Sequence, residues 1–172
     1  MPPPPASTTS TTGPAPVGAS IELRGQGLGP SDFGAPATEV LRALSAALGP
    51  ATDDDLLEAC PSGQIDRVVR FAELSVLVAG TGSGARFVGW DLAEPSGFLP
   101  RLATAEGISV GSTLDEAAAA FGSRLRLLTG DPFGAAFEVD VEAPGRLAGT
   151  LTGTRPADRI ATLSGGSASC AG

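Results

Sequence analysis

Short runs of alternating apolar and polar residues, separated by glycine, proline and aspartate, are the strongest constraint on the fold of this chain. The runs occupy 66–71, 73–79, 86–92, 125–128, 135–141, 146–151 and 158–163. A period of two places successive side chains on opposite faces of a strand, so the pattern predicts strands with one buried face. It leaves open whether the first two runs form one long bent strand or two short ones. Three glycines at 80, 82 and 84 predict a flexible hairpin tip.

Two other segments carry helical signals. In the first, apolar residues recur at helical spacing: Val40, Leu41, Leu44 and Leu48. Pro36 suits the first helical position, and the pair Gly49-Pro50 is a stop signal. In the second, Thr113 and Glu116 have the spacing of a capping box ahead of a helix at 117–121, which Gly122 ends.

Each half of the chain thus places a helix before antiparallel strands. The sequence predicts an α+β fold, in which two helix-then-antiparallel-sheet repeats at about 21–94 and 104–172 pack into one domain spanning 21–172. The two helix starts are alike, since 33–40 and 110–117 each combine an apolar residue, a glycine, a small cap and a glutamate in the first turn. A length of 172 residues also suits one domain with a tail.

These helix starts, the Ala/Leu-rich helix that ends at Leu48-Gly49-Pro50, and the strand meander after it resemble a known family pattern. It is that of the tandem helix-plus-sheet domains of bacterial outer-membrane-assembly lipoproteins (SmpA/OmlA type) and of the β-lactamase inhibitory protein. The motifs match over about 27–50 and 107–122, although Ala35 and Ser112 replace the methionine that usually follows the glycine. The resemblance implies the fold above and an exported location. It carries over no contact residue, because this chain has no tyrosine and one tryptophan.

Residues 1–20 carry no charge and combine a proline run with a Ser/Thr cluster. Such a segment cannot bury apolar surface and is predicted to be a disordered, polyproline-like linker. Stalks of this kind often follow the cleavage site or lipidated cysteine of exported proteins, so we expect Met1 to replace a natural leader. The alternative is a native disordered tail on a cytosolic protein.

The two cysteines, Cys60 and Cys170, have no CxxC spacing for metal or redox chemistry. In an exported protein we expect one structural disulfide between them. Closing a loop of roughly 110 residues would stabilise the fold by ~4–5 kcal/mol in the chain-entropy model. The alternative is two free buried thiols in a reducing cytosol. Linker and cysteines together predict an extracellular or cell-surface protein, with or without a lipid anchor.

The composition argues against several classes of partner and chemistry. With 19 acidic and 11 basic residues the net charge is -8, which repels phosphate backbones and predicts no nucleic-acid partner. No run approaches the roughly 18 apolar residues of a membrane-spanning helix. The absence of histidine removes Ser-His-Asp and Cys-His nucleophiles and most zinc sites. The absence of lysine removes Schiff-base chemistry, and we expect no cofactor.

An acidic cluster follows the first helix, at Asp53, Asp54 and Asp55 with Glu58. Oxygen ligands suit calcium, but the cluster lacks the alternating acidic loop that wraps the ion, so we expect a solvated loop. Further along, Trp90 shares a predicted strand face with Val88 and Leu92, which places it in the core beneath a helix.

Five residues are candidates for a partner surface. Glu138, Asp140 and Glu142 alternate with apolar residues and predict an outward acidic stripe that would suit a cationic partner. The alternative is the plain solvent face of a half-buried sheet. Phe98 and Phe133 lie in Pro- and Gly-rich loops and are candidates for exposed aromatic contacts, the alternative being that they plug the end of the core.

From the sequence we therefore expect a non-enzymatic exported domain that presents a sheet surface to a protein partner at the cell envelope. A calcium- or ligand-binding accessory domain is the first alternative. A carboxylate-pair hydrolase is the second, although an aromatic content of 5% argues against a sugar-binding cleft.

Overall fold

Strands dominate the computed structural model, which describes residues 21–56, 64–93, 102–131, 134–142 and 145–166. The elements in chain order are β1 (Leu23–Arg24), β2 (Gly27–Leu28), β3 (Ser31–Asp32), α1 (Ala37–Leu48), β4 (Asp53–Leu56), β5 (Arg67–Phe71), β6 (Leu74–Ala79), β7 (Arg86–Leu92), α2 (Leu114–Phe121), β8 (Leu125–Asp131), β9 (Gly134–Val139), β10 (Leu147–Leu151) and β11 (Ile160–Gly166). Short 3-10 turns lie at Gly82–Gly84 and Gly122–Arg124. The predicted linker at 1–20 and the predicted disulfide between Cys60 and Cys170 lie outside the described residues.

Eight strands form one antiparallel sheet in the order β4-β5-β6-β7-β11-β10-β9-β8. Its middle is the pairing of β7 with β11, in which Leu92 lies opposite Leu163 and Trp90 opposite Gly165. The strands β1, β2 and β3 form a separate three-stranded sheet. The continuity of the large sheet therefore depends on a pairing between strands far apart in the sequence.

The prediction of an α+β fold built from two helix-then-antiparallel-sheet repeats is wrong. The described residues are 45% strand and 21% helix, and their only two α-helices accompany one large sheet. Because β7 pairs with β11, the strands do not divide into two helix-plus-sheet units. The similar helix starts at 33–40 and 110–117 reflect what a loop-to-helix junction requires in general, namely a glycine and a capping residue.

Both helices end where the sequence predicts, because their stop signals are local. Helix α1 begins at Ala37, one residue after the Pro36 expected in its first position, and Gly49 follows it with φ 91°, a left-handed conformation that favours glycine. At the start of α2, the Thr113 hydroxyl accepts a hydrogen bond from the Glu116 amide (3.2 Å). The Glu116 carboxylate accepts one from the Thr113 amide (2.7 Å). This confirms the predicted capping box.

Neither helix of the described part is long enough to cross a membrane, since α1 has 12 residues and α2 has 8. Both instead pack on one face of the large sheet. Their buried residues, including Val40 and Leu44 of α1 and Ala117 and Phe121 of α2, belong to the same apolar cluster as Trp90. The opposite face of the sheet carries no helix among the described residues.

The hairpins resolve an ambiguity that the sequence left open. The runs at 66–71 and 73–79 are two strands, because Phe71 pairs with Leu74 across a two-residue turn. Ala72 in that turn has φ 52°, which is uncommon for a residue with a side chain. The loop of glycines at 80–84 joins β6 to β7, which confirms the predicted hairpin tip.

Trp90 is fully buried and lies at the centre of the main core, as predicted. Its indole Nε1 donates to the carbonyl oxygens of Arg24 (3.0 Å) and Gly27 (2.9 Å), which tie the small sheet to β7. Leu92 shares this core, but Val88 packs against a separate small cluster, so its predicted place beside Trp90 is wrong. The register of β6 and β7 shifts between Leu77 and Val78, and this irregularity breaks the simple alternation along β7.

Gly165 provides the space that Trp90 occupies. A Cβ atom on Gly165 would lie 2.4 Å from the indole Nε1. We expect Gly165→Ala to lower the free energy of unfolding by about 3 kcal/mol, because the rigid indole has to move and its hydrogen bonds weaken. Urea unfolding followed by tryptophan fluorescence measures the change. Gly84→Ala is the matched control, since an added Cβ there meets nothing within 4 Å; equal stability of the two variants would contradict the prediction.

Candidate functional site

The face of the large sheet that the helices leave uncovered is the candidate site, and we call it the open face. One row of residues crosses it in register through all eight strands: Asp53, Arg70, Ser75, Asp91, Ser164, Ala148, Glu138 and Arg126. Every residue of this crossing row is exposed or half-buried. The exposure of the crossing row follows from strand alternation. The residues next to its members in the sequence point into the core, namely Val69, Val76, Trp90 and Leu163.

Charges stand at the two sides of the open face. On β5, the Arg70 guanidinium contacts the carboxylates of Asp53 (2.7 Å) and Asp55 (2.6 Å) on β4. At the other side, Arg146 pairs with Glu138 and Arg126 pairs with Asp140. Each of these carboxylates therefore contacts an arginine, although Asp53 and Asp55 share the single charge of Arg70.

The middle of the open face has short side chains. Ser75, Ser164 and Ala148 occupy consecutive places of the crossing row around Asp91, and Gly89 precedes Asp91 by two residues on the same strand. A parallel row places Thr150 beside Thr162, whose hydroxyl oxygens lie 2.7 Å apart. The side chains in the middle of the open face are therefore shorter than the charged side chains on either side. Near one end of the face, Ile65, Val68 and Leu77 form a small buried apolar cluster.

Asp91 differs from the other carboxylates of the crossing row. Within the described ranges it has no hydrogen bond and no ion pair, whereas Asp53 and Glu138 both have arginine partners. The residue retains contact with solvent, yet it sits on the fourth of eight strands and is surrounded by protein on both sides. This burial raises the pKa of Asp91 from 3.8 to about 6.

The predicted acidic stripe is divided by the structure. Glu138 lies on β9 and faces the open side, Asp140 follows the strand, and both are paired with arginines. Glu142 is exposed, and its backbone carbonyl accepts a hydrogen bond from the Gln26 side chain (2.7 Å). The other two candidates for the partner surface, Phe98 and Phe133, lie outside the described residues.

The acidic run after α1 is not the solvated loop that the sequence predicts. Asp53, Asp54 and Asp55 belong to β4, an edge strand, and Glu58 lies outside the described residues. Asp54 accepts two hydrogen bonds from Arg67, at 2.6 and 2.5 Å, and this contact lowers the pKa of Asp54. Aspartate is disfavoured in strands, but arginines on the next strand compensate here. The part of the chain that the structure describes contains no group of three metal-ligating side chains.

Two concave regions of the described chain are large enough to admit small molecules. A cleft of about 510 Å³ lies between the start of α1, the β6–β7 loop and β4, and Asp54 is the only carboxyl among its described lining residues. A cavity of about 180 Å³ lies beside β1 and α2, where Glu106 is paired with Arg124 at 2.8 Å. Neither region brings two unpaired carboxyls together as a hydrolase would need.

Sequence reasoning missed Asp91, Ser75 and Ser164. The alternation around Asp91 already placed it opposite to Trp90, so its outward direction was visible in the sequence. Its surroundings were not, because Ser75 and Ser164 come from strands whose pairing with β7 cannot be deduced from local pattern.

Comparison of the chain with protein-family models finds no match, and comparisons with curated proteins and with solved structures find none either. The resemblance to the tandem helix-plus-sheet domains therefore stays a prediction.

The raised pKa of Asp91 predicts a pH-dependent effect of Asp91→Asn on stability. The folded protein binds the proton more tightly than the unfolded chain, so the ionised carboxyl destabilises the fold above pH 6, and the penalty fades as the pH falls through 6 toward 4. We expect the variant to be more stable than the wild type by roughly 1 kcal/mol at pH 7.5, a value reduced for solvent screening of an exposed group, and by severalfold less at pH 4. Urea unfolding at both pH values measures this, and a difference that does not change with pH would contradict it.

Proposed function

We propose that this chain is a non-enzymatic protein-binding module that docks a partner protein on the open face of its eight-stranded sheet, in an exported setting at the cell surface. The observation that carries the proposal is the crossing row, an accessible line of small and charged side chains that runs through every strand of the sheet. A rigid antiparallel sheet holds such a surface in place without help from mobile loops.

The size of the open face suits a protein partner better than a small molecule. Eight strands are separated by seven spacings of about 4.8 Å, which gives a width of roughly 34 Å, and strands of about five residues extend roughly 17 Å. The resulting plan area of roughly 600 Å², which includes the end occupied by the buried cluster of Ile65, Val68 and Leu77, is of the same order as the roughly 800 Å² that each partner buries in a standard protein complex. A shallow sheet surface encloses less of a small ligand than a deep cleft does.

The chemistry of the chain supports a binding role over catalysis. The sequence has no histidine, lysine or tyrosine, which leaves carboxylates and hydroxyls as the main reactive groups. Asp53, Asp55 and Glu138 on the open face are bound by arginine side chains, so oxygen atoms of all three carboxylates are already engaged within the protein. The central positions Ser75, Ser164 and Ala148 instead offer hydroxyls and short apolar groups, which suit close approach by another protein surface.

The exported setting rests on the sequence. The charge-free Pro/Ser/Thr segment at 1–20 is typical of stalks that separate a domain from a membrane or a cell wall. Two cysteines in a chain with no metal-binding spacing suit an oxidising compartment. A partner at the cell envelope is consistent with both features.

The docking proposal is tested by charge and bulk placed at the centre of the open face. Ala148→Arg introduces a long cation in the crossing row, and Ala46→Arg makes the same change on the exposed side of α1. We expect Ala148→Arg to weaken binding of the partner at least 30-fold, since a large side chain at an interface centre prevents close packing, while Ala46→Arg leaves the affinity unchanged. Both variants should retain the wild-type melting temperature.

The partner for this test is recovered from extracts of the producing cells, identified by mass spectrometry, and produced in pure form. Titration calorimetry with the two purified proteins then gives the dissociation constants for wild type and both variants. A purified partner that binds Ala148→Arg as tightly as the wild type would show that docking does not use the open face. The proposal also falls if no extracellular or cell-surface protein binds the pure chain.

A further inference from the structure

We infer that Asp91 is the recognition point of the open face, and that it binds a lysine or arginine side chain which the partner protein inserts between Ser75 and Ser164. This inference rests on the proposed function, because it names the chemistry of the partner that the open face receives. It is argued from charge, from the space around the carboxyl and from the hydrogen-bonding groups beside it.

The other carboxylates at the sides of the open face already have a cationic partner. Asp53 and Asp55 share Arg70, and Glu138 is paired with Arg146. Asp91 has no such partner among the described residues. Arg70 lies two strand spacings away in the crossing row, about 10 Å, and its guanidinium is directed to β4, away from Asp91. The described residues thus leave the central carboxylate of this face without a counter-charge.

The space around Asp91 admits a long side chain. Its register neighbours are the serines of β6 and β11, and Gly89 precedes it on the same strand. In the crossing row, the first long side chains on either side are Arg70, two spacings away, and Glu138, three spacings away. A lysine or arginine stem approaching perpendicular to the sheet therefore reaches the carboxyl without displacing any residue of the row.

The groups beside the Asp91 carboxyl supply further hydrogen-bond acceptors for a cation that has several donors. A guanidinium carries five N–H donors and an ammonium three, while one carboxylate can accept only part of them. The hydroxyls of Ser75 and Ser164 flank Asp91 and can accept the others. Asp91 is exposed, but the neighbouring strands already raise its pKa, so a cation that pairs with the ionised carboxyl gains more than it would at a freely hydrated carboxylate.

The test uses a minimal ligand, so that it does not depend on the partner protein. N-acetyl-arginine amide is titrated into the ¹⁵N-labelled chain at pH 7.5, and amide shifts are followed by NMR. N-acetyl-citrulline amide, which has nearly the same shape without the charge, is the matched ligand control. We expect saturable shifts centred on Ser75, Asp91 and Ser164, with a millimolar dissociation constant for the arginine compound and at least tenfold weaker binding of the citrulline compound.

Two variants decide whether the carboxyl of Asp91 is responsible. Asp91→Asn should lose the saturable shifts, whereas Asp140→Asn, which changes a carboxyl already paired with Arg126, should keep them. The spectra of both variants report directly whether the fold is retained. Shifts that persist in Asp91→Asn, that spread evenly over all acidic residues, or that are equal for both ligands would overturn the inference.

The titration with the arginine compound and the docking test with Ala148→Arg can fail independently of each other. If Ala148→Arg abolishes docking while the arginine compound does not bind at Asp91, the open face is the interface but Asp91 is not its recognition point. If the compound binds at Asp91 while docking is insensitive to Ala148→Arg, the cation site exists and the docking proposal fails.

Discussion

The buried indole of Trp90 connects three parts of the structure that share no local sequence. It projects from β7, lies against Gly165 of β11, and donates to the backbone oxygens of Arg24 and Gly27 in the small sheet. Each part depends on the others, since the indole needs both the space left by the glycine and acceptors for its N–H group. A buried donor without an acceptor would cost about 1–3 kcal/mol. The central region of the sheet, with the crossing row on its far side, is held in place by this arrangement.

Local signals were enough to predict several elements. The stop at Gly49-Pro50, the capping box of Thr113 and Glu116, and the glycine-rich hairpin tip depend on residues close together in the chain. The burial of Trp90 followed from strand alternation alone. Such features are set within a few residues, and tertiary contacts did not override them.

Long-range pairing was beyond local pattern, and the errors follow from that. The sequence suggested two helix-plus-sheet repeats, because similar helix starts say nothing about which strands meet; the β7–β11 pairing joins all eight strands. The sequence predicted a loop at Asp53, Asp54 and Asp55. They form a strand instead, because Arg67 and Arg70 on the neighbouring strand pair with their carboxylates. The same limit hid the surroundings of Asp91, whose two serine neighbours are 89 residues apart in the chain (164 - 75). Phe98 and Phe133 lie outside the described residues, so that part of the predicted surface stays a prediction.

The pairing of β7 with β11 also sets an order for folding during synthesis. Ribosomes deliver β7 long before β11, with the residues between Leu92 and Ile160 made in the meantime. Until then, the edge of β7 that pairs with β11 has no partner, although the other edge can already pair with β6, and the indole of Trp90 lacks its contact with Gly165. Because non-local strand pairing is slow, the nascent polypeptide spends this interval without its central ladder. An unpaired strand edge beside exposed apolar side chains favours aggregation, so the risk of misassembly is greatest before the final strand is made.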